Sequence, residues 1–274
     1  MNIAEKAENS IIKKYKKPIW NKFIGGLKDY ELIKEGDKIA VCISGGKDSM
    51  LLAKCIQHLE KYSEIEFSAK YLVMNPGYNE ENLQMILKNA KDLDIPIEIF
   101  NSNIFEVIEE SKGSPCYLCA RMRRGYLYKY AQSMGCNKIA LGHHMDDVIE
   151  TILMSMMYGA EIKTMMPKLH SLNYEGMELI RPLYLVREDD IKAWSRYNEL
   201  EFIQCGCKVT QKSSEQNAET SKRAEIKELL KTLRKNSQYI DMNIFRSVEN
   251  VNLSTIIGYK MSQNGDKKTF LDEY

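Results

Sequence analysis

Ile39-Ala40-Val41-Cys42-Ile43-Ser44-Gly45-Gly46-Lys47-Asp48-Ser49 is the stretch whose reading decides the fold of this chain. It opens as a short apolar, β-branched run, which reads as a buried strand. It closes in a turn of two glycines, a lysine, an aspartate and two hydroxyls. Beyond the turn, Met50, Leu51, Leu52, Ile56 and Leu59 recur at helical spacing. The pattern is therefore strand, glycine turn, helix. Such a turn aims backbone N–H groups and a helix N-terminus at one point, which suits an anion. Gly45 and Gly46 let the backbone approach a ligand, Lys47 adds a point charge, and Ser44 and Ser49 add hydroxyl donors. The kinase and GTPase P-loop is excluded, because its first glycine, four residues before a Gly-Lys pair, is missing. The plainer alternative is an ordinary βα turn, but the ordered Ser-Gly-Gly-Lys-Asp-Ser is more specific than a lone glycine pair.

Working outward, residues 1–30 read as helical, with Lys13, Lys14, Lys16, Lys17 and Lys22 around Tyr15, Ile19, Trp20 and Phe23. That basic run is either a solvated helix face or a footprint for a polyphosphate chain. Gly25 and Gly26 are expected to loosen the segment before Asp37. A second strand is predicted over Phe67–Met74, ending in the Asn75-Pro76-Gly77-Tyr78 turn. Asn79, Glu80 and Glu81 then open a helix. A third strand covers Ile97–Phe100. A fourth begins at Lys138 and runs into Leu141-Gly142-His143-His144-Met145-Asp146-Asp147. Asp146 or Asp147 there reads either as a helix cap or as a carboxylate for Mg²⁺ beside phosphate. Ile180–Leu183 reads as a last strand, and Glu188, Asp189 and Asp190 open the next helix. The methionines at 154, 156, 157, 165 and 166 read as adaptable core. Residues 221–236 read as an amphipathic helix whose basic face could meet phosphates. Residues 208–220 read as a mobile loop, and the tail after Ser262 as flexible. Strands alternating with helices predict an α/β fold, a doubly wound parallel sheet with ligands beyond the carboxyl ends of its strands.

The 274 residues include 39 basic and 38 acidic side chains, so the net charge of +1 argues neither for nor against nucleic acid. The chain is 44% hydrophobic, enough for a large core. No run approaches the length of a membrane span, and the polar segment from Met1 to Ser10 predicts no secretory signal. A cytoplasmic protein is expected, with no membrane partner. Seven cysteines in such a chain point to metal or redox chemistry rather than a disulfide framework. Cys116 and Cys119 form a Cys-x-x-Cys pair followed by Arg121, Arg123 and Arg124, surroundings that favour thiolates. The pair alone fits a redox dithiol, half a zinc site or part of an iron–sulfur site. Cys205-Gly206-Cys207 comes much later. Cys42, Cys55 and Cys136 read as packing residues.

The Ser44–Ser49 hexapeptide resembles the pyrophosphate loop of the N-type ATP pyrophosphatases. Four stretches together resemble one group within that class, the tRNA 2-thiocytidine synthetases: Ser44–Ser49, Cys116-x-x-Cys119 with Arg121 to Gly125, Leu141–Thr151, and Ile180–Ile191. The resemblance covers about residues 10 to 255. It implies a PP-loop ATP pyrophosphatase domain over 31–200, flanked by a basic N-terminal segment over 1–30 and a third-cysteine and basic C-terminal segment over 201–274. It implies ATP, Mg²⁺ and a [4Fe-4S] cluster as cofactors. It assigns Lys47, Asp48, Asp147 and Arg123 to catalysis, and Ser44, Gly45, Gly46, Lys47, Asp48, Ser49, Met74, Gly142, His143 and Asp146 to the nucleotide. Cys116, Cys119 and Cys205 match the three cluster cysteines. Here the chain departs from the pattern, because Cys207 follows Cys205 by two residues where the family often has three, so Cys207 is the alternative third ligand.

The implied reaction adenylates the C2 oxygen of a cytidine at tRNA position 32 and replaces it with sulfur delivered through the cluster's open iron. The implied partners are a tRNA anticodon loop and a sulfur donor such as a cysteine desulfurase, with a homodimer left open. Two other readings compete. Lysidine synthetases and other tRNA-modifying PP-loop enzymes share the ATP loop, but the former normally lack the cysteine triad. A nucleotide-binding iron–sulfur or zinc protein without turnover would carry the same loop.

Overall fold

The computed structural model describes residues 2–102, 115–203, 218–260 and 267–272. The apolar run that begins the decisive stretch is β1 (Lys38–Ile43). It is the centre of a six-stranded sheet whose other strands are β2 (Ser68–Asn75), β3 (Ile97–Asn101), β4 (Lys138–Ala140), β5 (Lys168–His170) and β6 (Glu178–Ile180), in the order β3-β2-β1-β4-β6-β5. Val41 pairs with Tyr71 on one side and with Ala140 on the other. All pairings are parallel except that of β5 with β6.

Alternation along β1 explains why its sequence is apolar throughout. Ile39, Val41 and Ile43 face one apolar cluster, and Ala40 and Cys42 face the other. A parallel strand covered on both faces has no polar side. Each of the three large side chains, buried this fully, contributes about 1.5–3 kcal/mol. The first cluster is closed by α1 (Ile3–Ile12), α2 (Asn21–Asp29), α3 (Lys47–Tyr62) and α7 (Glu188–Tyr197). Trp194 of α7 is fully buried there and donates its indole N–H to the Ala7 carbonyl. The second cluster is covered by α5 (Pro115–Ser133), through Tyr128 and Ala131. The remaining helices are α4 (Glu80–Asp92), α6 (Met145–Gly159), α8 (Ala218–Asn236) and α9 (Ile240–Ser247). Cys42, Cys55 and Cys136 are buried and free, as expected of packing residues. Burial pushes the Cys42 thiol up to about 12. Among the described residues no helix is long and apolar enough to cross a membrane.

Several local expectations are corrected. Gly25 and Gly26 do not loosen the N-terminal segment; they lie inside α2, where a Cβ on Gly26 would stand 3.6 Å from the Pro182 carbonyl. Between α1 and α2, Lys16–Trp20 winds as a π-helix. Pro18 has no N–H to give Lys14, and Trp20 and Asn21 instead reach back five residues to the carbonyls of Tyr15 and Lys16. The last parallel strand ends at Ile180 rather than Leu183, since Pro182 cannot donate to a ladder and the chain turns. Met156, Met157 and Met166 are about half exposed, not core.

At the amino-end edge of the sheet, Lys138 is 2% exposed. Its ammonium lies 2.7 Å from Asp37 and 3.2 Å from Glu178, and donates to the Leu32 carbonyl at 2.9 Å. This buried cluster pins β4 to the start of β1.

Tertiary packing divides the chain into two units, residues 1–148 with 165–221, and residues 149–164 with 222–274. In the second unit, Glu150 is buried with Arg223 at 3.0 Å and Lys227 at 3.6 Å. The same unit holds the antiparallel pair β7 (Gly258–Lys260) and β8 (Lys267–Thr269), so part of the tail read as flexible is a strand. Of the loop expected over 208–220, residues 208–217 lie outside the described residues.

Candidate active site

The strand order reverses between β1 and β4, and the loops that follow these two strands meet at the carboxyl edge. That crevice is where an open α/β sheet receives ligands. Gly45 has φ +82°, and a Cβ there would stand 2.6 Å from Ile86 and 2.7 Å from Ile203, so both backbone and space require glycine. Gly46 has ordinary dihedrals and precedes α3, whose N-terminus carries no side-chain cap. Ser44 is exposed at the turn. Ser49 does something the sequence did not reveal. It is 3% exposed, its hydroxyl donates to the Gly46 carbonyl at 2.9 Å and accepts the Ser44 N–H at 3.2 Å, and so it braces the loop from inside.

Lys47 is the first residue of α3. Its ammonium lies 3.1 Å from Asp48 and 3.3 Å from Glu188 at the start of α7. Burial works to lower its pKa, but the two carboxylates outweigh burial and hold it above its ordinary value. Glu188 is the functional candidate that sequence reasoning missed. The sequence presents it only as an acid opening a helix, and only the tertiary fold carries it to Lys47.

Asp146 fixes that opening. Its carboxylate accepts two bonds from Arg187, at 3.1 and 3.0 Å, and the Glu188 N–H at 2.8 Å. Burial acts to raise the Asp146 pKa, but these donors hold it below the usual carboxylate range. Asp146 is thus engaged in joining α6 to α7. Asp147 accepts the His144 N–H at 3.0 Å, while its own N–H points to His144 Nδ1 at 3.4 Å, a reciprocal cap on α6. His144 also approaches Asp48, at 3.9 Å. Gly142, just beyond β4, comes so near the other loop that a Cβ would stand 3.0 Å from the Asp48 carbonyl carbon and 3.0 Å from the Ser49 nitrogen. The two loops touch through backbone, and any side chain at 142 would push them apart. His143, its neighbour, is half-buried.

The other walls come from β2, α5 and β6. Asn75 accepts the N–H groups of Gly77 and Tyr78, fixing the turn after β2. Arg123 of α5 donates to the Tyr78 hydroxyl at 3.2 Å, which brings a guanidinium to the carboxyl edge. Met74 ends the buried part of β2 with its side chain in the second apolar cluster. Arg181, immediately after β6, is 5% exposed and donates to the Met166 carbonyl. Burial lowers its pKa to about 10. Cys116 and Cys119 stand one turn apart at the start of α5, a donor chemistry that suits iron–sulfur ligation. Cys205 and Cys207 lie outside the described residues. Among the described residues no three His, Cys, Asp or Glu side chains gather as a metal cage.

The arrangement of uncapped helix N-terminus, paired lysine, abutting glycine loops and nearby arginine suits a polyphosphate. Comparison with known proteins agrees with it. Residues 8–213 match the family model of the PP-loop domain. The chain is 35% identical over 237 residues to the tRNA-cytidine(32) 2-sulfurtransferase of Geotalea uraniireducens, covering 85% of this chain and 91% of that one. It is 34% identical over 241 residues to that of Coxiella burnetii, covering 86% and 90%. In fold it is similar to the U34-tRNA thiolase NcsA from Methanococcus maripaludis, solved with its [4Fe-4S] cluster. The TM-score is 0.67 at 21% identity, covering 84% of this chain and 77% of that one. With a PP-loop match across most of its length and relatives this similar over nearly theirs, the chain belongs to the tRNA-cytidine(32) 2-sulfurtransferase family of PP-loop proteins.

Proposed function

We propose that this chain is an ATP-dependent tRNA sulfurtransferase that exchanges the C2 oxygen of an anticodon-loop cytidine, at position 32, for sulfur. The observation that carries the reading is the meeting of Lys47 and the α3 N-terminus with the Gly142 loop at the sheet's switch point, in a chain of this family. In this reading the loop N–H groups and Lys47 bind the β- and γ-phosphates. The C2 oxygen attacks the α-phosphorus, the bridging P–O bond breaks, and pyrophosphate leaves with the electron pair. Lys47, charged and already oriented by Asp48 and Glu188, stabilises the departing charge. Asp48 and Asp147, whose carboxylates both approach His144, would hold Mg²⁺, a hard cation that needs few protein ligands beside phosphate. Hydrosulfide then attacks C2, the C2–O bond breaks, and AMP leaves with the original oxygen. Arg123, which donates to the Tyr78 hydroxyl at the same edge, would hold RNA phosphate.

Cys116, Cys119 and Cys205 would hold a [4Fe-4S] cluster. With three protein thiolates, such a cluster supplies one iron open to external sulfide. The target base must leave its stack, which costs less in an anticodon loop than in a duplex.

The reading is tested by following labelled ATP with and without unmodified tRNA. AMP and pyrophosphate should form in equal amounts over repeated turnover with tRNA and a sulfide source, and neither should form without tRNA. ADP as the product, or no turnover under any of these conditions, would favour a nucleotide-binding protein instead.

A further inference from the structure

We propose that the π-helical turn and the residues just before it form a second RNA-docking surface, a cluster of Lys13, Lys14, Lys16 and Lys17 that holds backbone phosphates away from the reacting base. The inference rests on the tRNA-modifying reading above and adds to it where the RNA lies.

From Asn9 to Lys28 the chain carries six lysines and no acid. Lys13, Lys14, Lys16 and Lys17 are all exposed, within five consecutive residues. None of the four makes an ion pair among the described residues. Lys14 instead lies 3.6 Å from the centre of the Tyr197 ring. The basic helix α8 of the other unit differs at four of its six cations. Its Arg223 and Lys227 are paired with Glu150, Lys231 with Glu228 and Arg234 with Asp241. Cations matched from within hold their own fold together. Four crowded cations matched by no carboxylate among the described residues repel one another, and their placement favours an outside polyanion.

The turn is also held rigid. Tyr15, in the middle of the four, donates its hydroxyl to the Ala193 carbonyl at 2.9 Å and packs edge-on against Tyr197. The π-helical register, imposed at Pro18, keeps Lys16 and Lys17 on a fixed turn of backbone. α7 ties this surface to the active site. It begins at Glu188, beside Lys47, and reaches the basic turn at Ala193, which accepts from Tyr15, and at Tyr197, beneath Lys14. At 1.5 Å per helical residue the separation along α7 is about 8–14 Å. A nucleotide in the site and phosphates further along the same RNA can therefore be held together.

The test is tRNA binding to the full chain across a salt series, for the wild type and for Lys13→Gln/Lys14→Gln/Lys16→Gln/Lys17→Gln. Removing four phosphate-binding cations should reduce the slope of log affinity against log salt by about 3, and weaken binding about tenfold or more. ATP affinity should not change and the melting temperature should fall only slightly, because these side chains are exposed and only Lys14 gives up a close contact, the one over the Tyr197 ring. If the fourfold variant melts early, Lys16→Gln/Lys17→Gln should still remove about half the slope change. An unchanged slope in a folded variant overturns the docking surface while leaving the enzyme reading intact. Absence of tRNA binding by the wild type at every salt concentration overturns both. Binding of the wild type to phosphatidylserine vesicles, lost in the variant while tRNA binding persists, would assign the cluster to a membrane and also overturn the proposal.

Discussion

Lys47→Ala is expected to reduce pyrophosphate release by about 10²–10³-fold or more, the loss typical of removing one preorganised group from a developing charge. The side chain is half-buried at the first residue of α3, and its ammonium is held by Asp48 and Glu188. Its pKa is raised by those partners, so it stays charged at neutral pH. The stabilisation it gives the fold is complete below the ordinary lysine range and is lost only as pH rises through the raised value. Activity near neutrality should therefore report the loss of the cation and not its titration. The fold should survive, because Lys47 belongs to neither apolar cluster and the loop is braced separately by Ser49. The measurement is tRNA-dependent pyrophosphate release alongside a melting curve. Near-normal turnover in a folded variant would remove Lys47 from the mechanism.

Cys116→Ala and Cys119→Ala are each expected to lose the cluster, lowering iron from about four atoms per chain to about one or fewer. Protein prepared without oxygen should be brown in the wild type and colourless in the variants. Nucleotide binding should persist, since the ATP loop follows β1 and these cysteines stand at the start of α5. Cys136→Ser is the control. Cys136 is buried, and burial raises its thiol pKa, so its loss should leave iron in place. Of the later pair, Cys205→Ser should release iron and Cys207→Ser should retain it. A fourth protein thiolate would close the iron left for sulfide. Stoichiometric zinc without iron in the anaerobic wild type would make the centre structural instead.

What could be read in the sequence divides by range. β1 and its loop were legible because their signal is local: a strand buried on both faces must be apolar throughout, and the turn beyond it needs glycine at φ +82°. The early acids of α4 and its Asn79 cap are equally local, and the cap is formed. β5 was not legible. Its three residues, Lys168–His170, carry no burial pattern, and their strand exists only because β6 offers an edge to pair with. β7 and β8 are equally short and equally dependent on each other.

The site divides in the same way. Lys47 and the glycines were found from six consecutive residues, whereas Glu188 lies far along the chain and reaches Lys47 only through the tertiary fold. The Asp146–Arg187 clamp spans 41 residues of sequence. No spacing rule announces such a pairing, and it gives Asp146 a structural duty that its adjacency to Asp147 did not suggest. Basic composition was legible on α8, but its neutralisation was not, since Glu150 and Asp241 come from other elements.

The central claim is that this chain places sulfur at C2 of a tRNA cytidine. The most direct test is mass spectrometry of tRNA nucleosides from cells with the gene intact, with it deleted, and with Lys47→Ala in its place. The account predicts 2-thiocytidine in the first and none in the second or third, with oligonucleotide mapping to position 32. 2-Thiocytidine at the same level in all three, or loss of a different modified nucleoside with 2-thiocytidine unchanged, would contradict it.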